Sequence, residues 1–158
     1  MTAQAQTTPA RTEAGDILTD IVVRTFHLNG QLLAAAERIA RPAGLTAAWW
    51  QVLGAVLREP APVAGIARAM GLARQSVQRI ADLLVERGLA EFVPNPAHRR
   101  AKLLRPTAAG WAAIEALRPA QHAWANRASA GLDAAQLRQA LEVLDRLIEA
   151  TATTPERR

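Results

Sequence analysis

From Ile17 to Ile39 apolar side chains return every three or four positions, as Ile17, Leu18, Ile21, Val22, Phe26, Leu32, Leu33, Ala36 and Ile39. That spacing predicts an amphipathic helix capped by Asp16, about 25 residues long and stopped by Pro42 and Gly44. Thr46 opens a second helix, "AAWWQVLGAVLRE", which Pro60 and Pro62 end. "VAGIARAMGL" predicts a short third helix, with Gly71 placed for a left-handed cap. "ARQSVQRIADLLVERG" predicts a fourth, ended by Gly88. Its residues Val77, Ile80, Ala81, Leu83 and Leu84 gather on one side, and Gln75, Gln78, Arg79 and Asp82 on the other. The pattern then shifts towards alternation, and "LAEFV" and "AKLLRPT" predict the two antiparallel strands of a hairpin tipped by residues 95–100.

The last third returns to helical spacing. Thr107 is placed to cap "AAGWAAIEALRPAQHAWANRASA", in which Pro119 predicts a kink or break. Asp133 and Gln136 have capping-box spacing ahead of a stripe formed by Leu137, Leu141, Leu144, Leu147 and Ile148. The expected organisation is a disordered tail over 1–15, one domain over 16–151 and a frayed end over 152–158. The fold class is mainly α with a small β-wing: a winged helix-turn-helix over 46–106 with helices on either side, 16–42 and 107–151.

Composition removes several functions. A chain of 158 residues supports one sizeable core. It has no cysteine, so thiolate metal sites, disulfides and a cysteine nucleophile are excluded. Its three histidines are too few and too scattered for a histidine-rich metal centre. No Gly-rich phosphate loop, carboxylate pair or nucleophile with a nearby base suggests an enzyme, and no cofactor is expected. The longest uncharged run, Pro42 to Leu57, has 16 residues, too few for a membrane span, and the polar start lacks a signal-peptide core; a cytoplasmic location is expected.

The net charge of +5 becomes informative once located. Between Thr46 and Pro106 nine basic residues face four acidic ones, so the whole excess sits in the predicted winged lobe. A localised basic patch fits a polyanion. Bases in the DNA major groove are read by paired hydrogen bonds, Arg to guanine and Gln or Asn to adenine. Gln75, Gln78 and Arg79, with Arg74 and Ser76 at the helix start, have that chemistry. Arg99 and Arg100 at the tip, with Lys102 beside them, suit a minor groove and its phosphates. The competing readings are a solvated helix face and loop, or a winged helix that binds an acidic protein without specific DNA binding.

The run "SVQRIADLLVERGLAEFVPNPAHRRAKLLRPTAAG" resembles the DNA-binding core of MarR-type transcriptional regulators. "ERGLAEF" matches at Glu86 to Phe92, Arg99 and Arg100 stand at the paired wing arginines, and Thr107 and Gly110 at the Thr-x-x-Gly start of the next helix. His98 stands in place of the usual wing Asp, Pro106 in place of Leu, and Ala73 in place of the Ser or Thr that opens the recognition helix. The resemblance implies a homodimer built from the first helix and the last two. It also implies a pseudo-palindromic double-stranded operator and a ligand-responsive regulator, with repression the default. An intrachain bundle is the alternative use of the same apolar helices. The family commonly holds small aromatic or anionic effectors between the dimerisation helices and the DNA lobe; Phe26, His27, Trp49, Trp50 and Trp111 are the candidates to line such a crevice, or else core side chains.

Overall fold

Side-chain oxygens of Thr12, Thr46, Thr107 and Asp133 cap four of the helix starts. The computed structural model describes residues 10–98 and 100–152, so Arg99 lies outside the described residues. The first helix, α1, spans Glu13–Ala40 and begins earlier than an Asp16 cap predicts. Thr12 is the cap: its Oγ1 accepts from the Gly15 amide at 3.1 Å. Asp16 instead lies in the first turn, where a carboxylate meets the positive end of the helix dipole, and pairs with Arg11 at 2.8 Å.

Helix α2, Ala47–Ala55, starts as expected at Thr46, whose Oγ1 accepts from the Trp49 amide at 3.2 Å. A second free amide, that of Ala47, donates to Glu37 Oε2 of α1 at 2.8 Å, which ties the two helices together. The helix ends at Ala55, short of Pro60. Val56 leaves helical geometry to bury its side chain, and the following turn delivers Ala61–Pro62 as a strand, β1.

The sheet therefore has three strands where the hairpin alone predicts two. Strands β2 (Ala90–Val93) and β3 (Leu103–Pro106) pair antiparallel, with Phe92 opposite Leu104, and β1 adds to the outer side of β3. Pro62 is tolerated there because an edge strand does not need every donor. Between β1 and β2 lie α3 (Val63–Met70) and α4 (Arg74–Glu86), joined through Gly71. Gly71 sits at φ 63°, the left-handed cap that its position predicts. On α4, Val77, Ala81 and Leu84 are fully buried, packing in one core with Leu53, Ile66 and Leu104. Ile80 and Leu83 flank that stripe, half-buried.

Helix α5 (Ala108–Ser129) is anchored at its start to the end of α4. Thr107 donates its hydroxyl to the Gly88 carbonyl at 2.6 Å, accepts from the Gly110 amide at 3.1 Å, and bonds the Leu89 carbonyl through its own N–H at 3.1 Å. A Cβ at Gly110 would overlap that Leu89 carbonyl, which is why glycine stands there. The Thr-x-x-Gly motif is thus one joint between the end of α4, the hairpin and α5.

The chain divides into two units, one ending at Leu117 and one beginning at Arg118. The second holds the rest of α5 and α6 (Ala134–Ala152). Pro119 does not break α5: it removes one donor, and the turns on both sides continue. The capping box of α6 forms as its spacing predicts. Asp133 Oδ2 accepts from the amides of Ala135 and Gln136 at 2.9 and 3.2 Å, and Gln136 Oε1 accepts in return from the Asp133 amide at 3.4 Å. No helix among the described residues is long and apolar enough to cross a membrane.

Candidate nucleic-acid interface

Burying Val77, Ala81 and Leu84 turns the other face of α4 outward. Arg74, Gln75, Ser76 and Arg79 are exposed, and Gln78 is half-buried beside the hairpin. Ala73 makes no side-chain cap, as its chemistry requires, so no side chain of its own satisfies the first-turn amides of α4. The outer face is uneven in charge: Arg74 and Arg79 stand towards its start, and Asp82 and Glu86 towards its end. Gln78 and Asp82 are linked, Nε2 donating to Oδ1 at 2.8 Å.

The hairpin is held by its register and by its tip. Glu91 and Arg105 are directly opposite and form a 2.9 Å ion pair, each about half exposed. At the tip Asn95 holds the turn through its side chain and its carbonyl. Its Oδ1 accepts from the Ala97 amide at 3.0 Å, and its carbonyl accepts from the His98 amide at 3.2 Å. The Ala101 amide donates to the His98 carbonyl at 3.2 Å. Asn95 was legible as an Asn-Pro turn signal, although sequence reasoning assigned it no task.

These elements meet around a cleft of about 330 Å³. Arg74 and Gln78 of α4 line one side, Arg100 and Lys102 of the hairpin another, with Phe92, Pro62 and Val63 between them. Three cations and an amide from segments more than 20 residues apart thus share one concave surface. Phe92, Pro62 and Val63 were not among the sequence candidates, because they carry no charge, and Pro62 belongs to the unexpected strand β1. A second groove, about 400 Å³, runs along α4 past Gln75, Gln78, Arg79 and Asp82, and Gln78 borders both. Ser76 is exposed and borders neither.

The aromatic candidates are dispersed. Trp49 and Trp50 are half-buried against the core, and the Arg87 guanidinium lies 4.9 Å from the Trp49 ring centroid. Phe26 is 73% exposed on α1, and His27 hydrogen-bonds Gln31 at 3.1 Å. Trp111 is 41% exposed and lines a separate cleft of about 380 Å³ with Leu57, Pro60, Pro106 and the Glu91–Arg105 pair. None of the other four aromatic candidates borders that cleft.

Residues 43–101 match the MarR family. An uncharacterized protein of Mycobacterium tuberculosis is 36% identical over 135 residues, spanning 85% of this chain and 94% of the relative. CouR from Rhodococcus jostii RHA1, solved bound to p-coumaroyl-CoA, has a TM-score of 0.73 and 25% identity over 82% of this chain and 92% of its own. A mutant MarR from E. coli, solved with operator DNA, has a TM-score of 0.69 over 87% of this chain and 99% of its own; at 20% identity the likeness is one of fold.

Proposed function

Since the chain belongs to the MarR family of transcription regulators, we propose that it binds double-stranded DNA sequence-specifically, as a homodimeric, ligand-responsive repressor acting in the cytoplasm. The observation that carries the DNA reading is the cleft that gathers Arg74, Gln78, Arg100 and Lys102 between α4 and the hairpin. In this reading α4 enters the major groove, where Gln75, Gln78 and Arg79 meet base edges and Arg74 and Ser76 meet the flanking phosphates. The hairpin follows the duplex into the neighbouring minor groove with Arg99 and Arg100, and Lys102 holds a phosphate.

The homodimer is supported by apolar side chains left exposed on both α1 and α6, among them Val22, Val23, Phe26, Leu141 and Ile148. Two copies of α4 would then read half-sites about 10 bp apart in a pseudo-palindrome. An aromatic or anionic effector is supported by CouR's complex with p-coumaroyl-CoA, and the cleft beside Trp111 offers indole for stacking, with the remaining aromatic candidates as alternatives. Repression follows from a bound dimer covering the promoter.

Electrophoretic shift on duplexes selected from a randomised pool, with specific and non-specific competitor, tests the DNA reading. Retention of the selected duplex against excess non-specific DNA is expected. Equal displacement by both competitors would leave a basic module without sequence preference.

A further inference from the structure

The Gln78–Asp82 contact lies one helical turn along the face of α4 that carries the proposed base-reading side chains. A glutamine amide has two chemically different ends, and on an exposed helix either can turn towards a neighbour. A carboxylate removes that choice. Asp82, as the anion, only accepts, so the NH₂ end of Gln78 must face it, and the flipped amide would set oxygen against oxygen.

With one N–H engaged at 2.8 Å, Gln78 has its carbonyl oxygen and one N–H to offer a base. Adenine's major-groove edge asks for that set, because N6 donates and N7 accepts. Guanine presents two acceptors there and needs two donors. The Asp82 charge adds a second effect: set beyond Gln78 on the same face, it resists deep entry of the later turns of α4 among phosphates, favouring readout by the first two turns.

We propose that Asp82 is a positioning residue for base readout, fixing the Gln78 amide so that it prefers adenine to guanine at the position it faces. This rests on the reading of α4 as the recognition helix.

The test uses the full chain and the duplex that it selects from a randomised pool, with each base pair then substituted in turn. Asp82→Asn keeps a hydrogen-bonding partner that donates as readily as it accepts, so the amide is no longer oriented; Asp82→Glu keeps the carboxylate. Asp82→Asn is expected to reduce adenine-over-guanine discrimination at one position per half-site by about threefold, and by about tenfold when both half-sites change together. Asp82→Glu should restore the wild-type preference, and in a Gln78→Ala background Asp82→Asn should leave preference at that position unchanged. Equal gains in affinity for the adenine and guanine duplexes, or a shift that persists without Gln78, would overturn the positioning role. Gln78→Ala leaving every base preference intact would instead overturn base reading by Gln78 itself, a separate result from the first.

Discussion

At the scale of single residues the interface and the frame that holds it make different demands. Arg100 is exposed at the hairpin tip and borders the cleft, so its charge is available to a phosphate and is not needed by the core. Arg100→Ala should weaken specific and non-specific duplex binding alike. The slope of log affinity against log salt should become shallower by about one for each phosphate that the variant no longer neutralises. Fluorescence anisotropy on labelled duplexes across a salt series measures both, and an unchanged slope would remove Arg100 from the phosphate-binding set. Gly110 makes the opposite demand. Its missing Cβ lets the start of α5 pass against the Leu89 carbonyl, and main chain cannot give way as a flexible side chain can. Gly110→Ala should therefore cost about 2 to 4 kcal/mol, read as a lower urea midpoint at unchanged slope.

At the scale of elements, what could be read in advance was whatever a local residue decides. Thr46, Thr107, Asp133 and Gly71 each act within a few residues of their own position, and each performs its expected task. Outcomes decided by distant partners were not legible. Strand β1 is two residues long, ends in proline, and exists only because β3 offers Leu103 and Leu104 as neighbours. The early end of α2 answers to the same pairing and to the burial of Val56. Competition between nearby caps misled too, since Thr12 and Asp16 both suit the start of α1. The polar face of α4 was legible from its period, whereas the cleft that joins it to the hairpin was not, because Phe92, Pro62 and Val63 carry no charge pattern. Thr107 belongs to both classes. Its cap on α5 is local, but its hydroxyl also reaches the Gly88 carbonyl, 19 positions back. Thr107→Val keeps the shape and removes both hydroxyl bonds, so about 1 to 2 kcal/mol of stability should disappear, more than for a solvent-facing cap, with Thr107→Ser recovering most of it. Equal urea midpoints for the Val variant and the wild type would show that the joint contributes nothing.

At the scale of the whole molecule the decisive feature is apolar surface. Leu141 is 59% exposed and Ile148 65% on α6, where no residue is buried, and α1 leaves Phe26 and Val23 in the same condition. A second copy of the chain is the occupant that the family membership favours, and an isologous contact would cover the same patches on both chains at once. Because Leu141 and Leu144 are both exposed on α6, glutamates there should act on association while removing little packing from the single chain. Helix content by circular dichroism should then be retained, and light scattering should report the mass of one chain where the wild type gives two. DNA binding separates this from misfolding. A dimer engages its second half-site at a high effective concentration, so the double variant should lose roughly 10²-fold or more in affinity for a palindrome. Its affinity for a duplex carrying one half-site should stay within a few-fold of wild type, since Gln78, Arg79 and Arg100 are untouched. Light scattering that finds the intact chain monomeric, or a double variant that remains dimeric and binds the palindrome fully, would refute association through α6.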